Sequence, residues 1–373
     1  MNHSESLITV RSLHAEDTER LRAIAQRAFP PTQSGFVRVG KDHGLVGCVD
    51  GEVAAAAVLR VIKLPSGRRI GMVAWLLTDP DYQGLGLASR LVAAAVAQLK
   101  AAGCDTVLTD VEGHNTASAN VFHSQGFERL SPGAQWQRFG VLDTVWLWVR
   151  TGLALDPGHF LWVYDAAKPS GRIGMQRGGS VVANTLWACI ALFWGGWLLG
   201  SGMAWPNASQ ALAVLLAVLC LFSIREASMR LTAWYLGQPL VYRAWEGGWG
   251  ITVGIALLFG NLFPLPGGLY PPGDGWKYRD GLPTLGPIAL AGTLAVAATV
   301  AAALWLHSVV AQPSLAVWLS ALLFVGKPLL LFDSVMVFAP FQAFNARRIF
   351  DYNRVLWGLV AILGLGLFVL RPL

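Results

Sequence analysis

From Val181 onward the chain is built of long apolar runs separated by short polar breaks, and this pattern constrains the fold more than any other feature. A helix needs about 20 residues to cross a hydrocarbon core of about 30 Å. Val181 to Gly200, Ala208 to Ile224, Gly286 to Leu306, Ser314 to Ala339 and Val355 to Leu370 meet or approach that length. Ile251 to Phe263, before Pro264 and Pro266, is too short to span and reads as re-entrant or interfacial. Charge follows the same division. Only 13% of the 373 residues are charged, against about 25% in a soluble chain, and 18 of the 28 Lys and Arg and 16 of the 22 Asp and Glu precede residue 178. The expected organisation is a soluble domain over 1–150, a linker over 151–180, and a helical multi-pass membrane domain over 181–373.

The basic residues suggest an orientation. With the first domain in the cytosol, the clusters Lys168, Arg172, Arg177, then Arg225, Arg230, Arg243, then Arg347, Arg348, Arg354 all fall on the inner side, as the positive-inside rule requires. The start of the chain has no basic stretch followed by an apolar one, so no signal peptide is expected. The expected location is the inner (cytoplasmic) membrane. A formal charge of +6, with its clusters bordering apolar runs, argues against nucleic acid as a partner. Cys48, Cys104, Cys189 and Cys220 lack metal-ligand spacing and read as small core residues.

Before residue 150 strand and helix patterns alternate. Ile8 to Leu13, Val46 to Val49, Val53 to Ile62 and Ile70 to Thr78 read as strands, and Ala15 to Phe29 as a helix with Leu21, Ile24, Ala25 and Ala28 on one face. This order predicts an α/β sheet with helices packed on it. The stretch 73-VAWLLTDPDYQGLGLASRLVAAAVAQLKAAG-103 adds a site. A strand breaks at Asp79-Pro80, a loop of Gln83, Gly84, Leu85, Gly86, Leu87, Ala88 and Ser89 follows, and an amphipathic helix runs to Gly103. Small residues at Gly84, Gly86 and Ala88 let the backbone approach an anion, and the free N–H groups of a helix start favour a pyrophosphate there. No Gly-Lys-Ser/Thr closes the loop, and Gly84, Gly86 and Ser89 match a GxGxxG fingerprint only in part. Taken alone, the loop could equally be a steric turn.

At these residues the chain resembles the GNAT superfamily of N-acetyltransferases, whose acetyl-CoA loop reads Arg/Gln-x-x-Gly-x-Gly/Ala. Gln83, Gly86 and Ala88 match that form, after a lead-in Asp79-Pro80-Asp81-Tyr82. A second element, 115-NTASANVFHSQGF-127, matches the family at Asn115, Ser118, Gly126 and Phe127, behind a strand Thr106 to Val111. The resemblance covers residues 8 to 150 and implies an α/β GNAT-type acyltransferase domain that binds acetyl-CoA. It implies main-chain contacts to the pantetheine arm from Leu77 and Thr78, the 83–89 loop on the pyrophosphate, and Asn115, Ser118 and Phe122 beside the cofactor. Phe122 occupies the position of the Tyr that often protonates the departing thiolate in this family. The strand Ile70 to Leu77 has no carboxylate where a Glu base is frequent. Asp110 and Glu112, alternate residues near a strand end, are the nearest candidates for a base, with His114 and His123 behind them. The plain reading of each is a solvated surface residue.

In the membrane half, 221-LFSIREASMRLTAW-234 places Arg225, Glu226 and Arg230 where an apolar run ends. Snorkelling of Arg225 and Arg230 to the interface, with Glu226 paired to one of them, is the plain reading. The order of parts resembles intramembrane site-2 zinc proteases: a His-Glu-x-x-His helix, a Pro/Gly-rich re-entrant segment like 263-FPLPGGLYPPGDG-275, a Gly-Pro helix start like Gly286-Pro287, and a distal Asp motif. At the matched positions stand Arg225, Met229 and Asn345, and only Glu226 remains. A zinc shell needs neutral imidazoles and carboxylates, and a cation in it repels the metal. The resemblance implies a protease-like membrane domain with no metal site and no protease chemistry, in which Arg225 partners Glu226. Arg347, Arg348 and Asp351 either line a cavity or border the membrane, and the border is the plainer reading.

The expected function is a membrane-anchored N-acetyltransferase moving an acetyl group from acetyl-CoA to an amine of an unnamed acceptor, a membrane protein or lipid-soluble molecule, with membrane lipid as its surroundings. The alternative is an acetyl-CoA sensor that regulates a partner of the membrane half.

Overall fold

The structure, a computed structural model, describes residues 7–29, 34, 44–164, 181–199, 208–273, 275–310 and 312–371. The basic cluster Lys168, Arg172, Arg177 lies outside the described residues. The chain separates into two compact units. The first takes Met1–Val111, Asn115–Thr151 and Phe160–Gly174, and the second takes Glu112–His114, Gly152–His159 and Met175–Leu373.

In chain order the strands and helices up to residue 164 are β1 (Ile8–Ser12), α1 (Thr18–Ala28), β2 (Gly44–Val49), β3 (Glu52–Lys63), β4 (Arg69–Thr78), α2 (Leu87–Ala101), β5 (Thr106–Glu112), α3 (Thr116–Ser124), β6 (Phe127–Arg129), α4 (Pro132–Phe139), α5 (Val141–Thr151) and β7 (His159–Tyr164). The strands form one seven-stranded sheet in the order β1-β2-β3-β4-β5-β7-β6. β1 to β4 are antiparallel neighbours, while β4 and β5 run parallel. Helix α2 buries Leu87, Leu91, Val92, Ala95, Val96 and Leu99, a spacing that gathers them on one face. Each of the Leu and Val side chains contributes about 1.5–3 kcal/mol when fully buried. The face sits close on the sheet, since a Cβ on Gly71 of β4 would come within 2.9 Å of Leu99 Cβ. β7 falls in the stretch expected to be a linker: its six residues HFLWVY are a buried sheet strand.

Two irregularities shape the edge of β4. Its register against β3 shifts between Val58 and Leu59, which pair with Trp75 and Val73, so Ala74 is an extra residue, a β-bulge. Its ladder with β5 runs from Ile70↔Thr106 to Met72↔Leu108 and goes no further. Thr109 Oγ1 donates to the Val73 carbonyl at 2.9 Å. Beyond it the β5-side edge of β4, Ala74 to Thr78, lies outside that ladder.

The second unit is helical: α6 (Val181–Leu199), α7 (Ala208–Tyr235), α8 (Trp249–Phe259), α9 (Tyr278–Val309), α10 (Pro313–Ser334), α11 (Asn345–Tyr352) and α12 (Arg354–Val369), with an antiparallel two-stranded sheet of β8 (Val241–Arg243) and β9 (Gly268–Tyr270). Among the described residues α7, α9 and α10 are long and apolar enough to cross a membrane, and shorter apolar helices cover Val181–Gly195, Glu246–Phe259 and Arg354–Val369. The segment read as re-entrant is the short helix α8 followed by extended chain that enters β9. Gly152–His159 packs against the start of α8 through glycines: a Cβ on Gly250 would lie 2.7 Å from Ala154, and one on Gly247 would strike the Asp156 carbonyl.

Candidate functional site

The loop between β4 and α2 begins at Asp79, whose fully buried carboxylate holds three neighbours in place. It accepts from Arg20 Nη2 at 2.9 Å, pairs with Arg27 Nη1 at 2.9 Å and accepts the Asp81 N–H at 3.2 Å. Arg27 Nη2 reaches Asp81 at 2.7 Å, so α1 ties down the strand end and the turn after it. Two glycines then take left-handed backbone, Gly84 at φ +83° and Gly86 at φ +75°, and a Cβ on either would meet nothing within 4 Å. Gly86 is the N-cap of α2, and the first helical bond is Arg90 N–H to the Gly86 carbonyl at 3.1 Å. The N–H groups of Leu87, Ala88 and Ser89 therefore have no acceptor inside the helix. Open space over the glycines and three orphan donors at the positive end of a 15-residue helix form a cradle that fits a pyrophosphate.

The expected cofactor residues divide by what they can offer. Gln83, Gly84, Leu85 and Gly86 are exposed, and Thr78, Ala88 and Ser89 are half-buried. Leu77 and Leu87 turn their side chains into the core, where both are at most 2% exposed, so they offer main chain alone. Asn115 caps α3, its Oδ1 accepting from Ser118 N–H at 3.2 Å. Phe122 is 2% exposed and meets Phe127 edge to face at 5.1 Å. It is a core residue, with no polar atom for a cofactor.

The two candidate bases part company. Asp110 is half-buried in the first unit, and Glu112 belongs to the second. Glu112 Oε1 lies 3.2 Å from His114 Nδ1, and burial pushes its carboxyl up from the ordinary value. His114 Nε2 accepts from Arg348 Nε at 3.0 Å, which requires a ring without a proton on Nε2. Burial first, then the nearby Arg348 and Arg347, hold this imidazole well below its usual range, so it is neutral. The ring stacks on Tyr278 at 4.8 Å, and the Arg348 guanidinium lies over Tyr270 at 5.0 Å. Arg348 is thus a buried member of a Glu-His-Arg chain, where a membrane border was expected; its partners are remote in sequence. Arg347 does meet Asp351, at 2.6 Å, and Tyr278 donates to the same carboxylate at 3.0 Å.

In the Arg-Glu cluster at the end of the apolar run Glu226 pairs with one of the two arginines, as the plain reading expects, but that arginine is not Arg225. Glu226 pairs with Arg230 one turn on, at 2.5 Å. Arg225 turns inward to Asp333, Nε to Oδ2 at 2.5 Å and Nη2 to Oδ1 at 3.0 Å, and donates to the Gly267 carbonyl at 3.1 Å. Asn345 completes the node: its N–H reaches Asp333 Oδ1 at 3.2 Å, and its Nδ2 reaches Oδ2 at 3.3 Å and Met229 Sδ at 3.7 Å. A lone acid inside an apolar run was the sequence signal for Asp333.

Residues 9–127 match the model of the acetyltransferase (GNAT) family. A mycothiol acetyltransferase of Geodermatophilus obscurus is 39% identical over 69 residues, which are 18% of this chain and 22% of that protein. One from Saccharomonospora viridis is 36% identical over 70 residues, 19% and 23% of the two chains. This chain therefore spans under a quarter of the length of those relatives. Among solved structures, the ribosomal-protein-S18-alanine N-acetyltransferase from Escherichia coli aligns over 45% of this chain and 99% of its own, with 20% identity and a TM-score of 0.32.

Proposed function

We propose that this chain is a membrane-anchored N-acetyltransferase that moves the acetyl group of acetyl-CoA to the amine of an acceptor. The observation that carries this reading is the 83–89 loop, with left-handed Gly84 and Gly86 under open space and orphan N–H groups at the start of α2. The freed edge of β4 past Met72 would receive the pantetheine arm, and the family match over 9–127 supports the same cofactor. In the reaction the amine nitrogen bonds to the thioester carbonyl carbon, the C–S bond breaks, and CoA leaves as thiolate. Main-chain N–H groups on the freed strand edge would face the developing oxyanion. Glu112, its carboxyl raised by burial, is a candidate base for the ammonium proton. Asp110 is the second candidate.

The three long apolar helices support anchoring, and the basic residues that border the apolar runs are the ground for reading the first domain as lying on the cytosolic side of the inner membrane. The membrane half is read as protease-like without protease chemistry, because Arg225, Met229 and Asn345, the positions aligned with zinc ligands, converge with Asp333 in one closed node. A second reading, an acetyl-CoA sensor, is favoured by one feature: Phe122 is a core residue with no hydroxyl to protonate a thiolate. Turnover separates the two. Full-length protein in membranes, given acetyl-CoA and a panel of amines, is expected to release CoA with matching acetyl-amine by mass spectrometry. Tight acetyl-CoA binding with no transfer to any amine would favour the sensor.

A further inference from the structure

Arg348 is 1% exposed, and of its three guanidinium nitrogens only Nε is used, on His114. Among the described residues Nη1 and Nη2 are buried without a hydrogen-bond partner. No carboxylate pairs with it among the described residues, and neighbouring Asp351 is taken by Arg347 and Tyr278. A guanidinium does not shed its proton in a protein. A buried cation with idle donors is costly, and such groups are almost always paired or holding a ligand. On the far side of His114, Glu112 Oε1 is likewise buried, 3.2 Å from Nδ1 and with no hydrogen bond among the described residues. Within the second unit, then, a cation with two idle nitrogens and a carboxyl with one oxygen outside any hydrogen bond flank one neutral imidazole, walled by Tyr270 and Tyr278.

We infer that Arg348 and Glu112 bind a small amine that also carries an oxyanion group, with Nη1 and Nη2 on two oxygens of a carboxylate or phosphate and Glu112 Oε1 on the ammonium. The fork of Arg348 matches a two-oxygen acceptor in a way an ammonium does not. His114, accepting from Arg348 at Nε2 and facing Glu112 through Nδ1, sets the two recognition groups relative to each other. As the class of acceptor for acetyl transfer this rests on the function proposed above, whereas the binding itself does not.

The test is calorimetric titration of the full-length protein in phosphatidylcholine nanodiscs with 3-aminopropanoate and 2-aminoethyl phosphate, and with propylamine as the amine lacking an anion. At least one zwitterion is expected to bind about tenfold or more tighter than propylamine, and Arg348→Gln to remove that advantage. Arg348→Lys, which keeps the charge and loses the fork, should recover only part of it. Propylamine binding as tightly as both zwitterions, or Arg348→Gln binding them like the wild type, overturns the assignment. Should Arg348→Gln fail to fold, the wild-type comparison decides alone. Weaker zwitterion binding in phosphatidylethanolamine nanodiscs supports the site with a lipid headgroup as occupant, and unchanged binding supports it with a free small molecule. Zwitterion binding without acetyl-CoA binding would sink the transfer reading and leave the site standing.

Discussion

Arg225 and Asp333, 108 residues apart in sequence, form a two-pronged ion pair that is almost wholly buried, with Nε–Oδ2 at 2.5 Å and Nη2–Oδ1 at 3.0 Å. It links α7 to α10, and Asn345 at the start of α11 joins it through Asp333. A buried pair need not stabilise more than an apolar pair of the same shape, but breaking one is costly, because the partner is left charged and desolvated.

Asp333→Ala should therefore destabilise the folded protein in detergent by about 3–5 kcal/mol. Arg225→Met combined with Asp333→Leu should recover most of that loss. A chemical unfolding series that finds the single variant no worse than the double would contradict this account of the node.

Asp79→Ala should lower the stability of the first unit by about 1–3 kcal/mol, since Arg20 and Arg27 are partly exposed and regain water when their buried partner goes. Acetyl-CoA affinity should fall as well, because the turn into the 83–89 loop loses its anchor. Unchanged proteolysis of the loop and unchanged affinity would count against a positioning role.

His114 gives a pH dependence of known sign. Its imidazole stays neutral in the fold well below 6.5, while the unfolded chain takes a proton there. The native state binds fewer protons over that window, so the stability is present above pH 6.5 and drains away as pH falls, at about 1.4 kcal/mol per pH unit. Glu112, raised from 4.5, has the opposite sign: its contribution is present below 4.5 and lost as pH rises toward the native value. Comparison of the wild type with His114→Gln between pH 7.5 and 5.5 isolates the first effect. The wild type should lose more stability on acidification than the variant, and equal slopes would rule the assignment out.

Glu112→Gln should reduce acetyl transfer by about 10²–10⁴-fold, the usual worth of a positioned base, with acetyl-CoA affinity kept. Transfer that survives in Glu112→Gln and disappears in Asp110→Asn would move the base to Asp110.

Much of the first unit was legible because its elements announce themselves locally. Leu21, Ile24 and Ala25 recur at helical spacing and are buried, and the glycine loop sits between a strand and an amphipathic helix where the spacing put it. β7 was not, since a six-residue apolar run can be strand or helix or part of a loop until a sheet edge claims it. Arg348 was misplaced for a related reason. Arg347-Arg348 beside an apolar run satisfies the positive-inside rule on its own, and nothing nearby encodes a partner 234 residues away. Phe122 was assigned beside the cofactor by resemblance, whereas its side chain fills the core on Phe127.

Whether the 83–89 loop holds acetyl-CoA is decided by calorimetric titration of acetyl-CoA into the full-length protein and its Gly86→Trp variant. Open space above Gly86 lets the fold accept the larger residue at the cost of left-handed strain, about 1–2 kcal/mol. Micromolar binding by the wild type and none by the folded variant is the expected result. Equal binding by both, or no binding by the wild type, would contradict it.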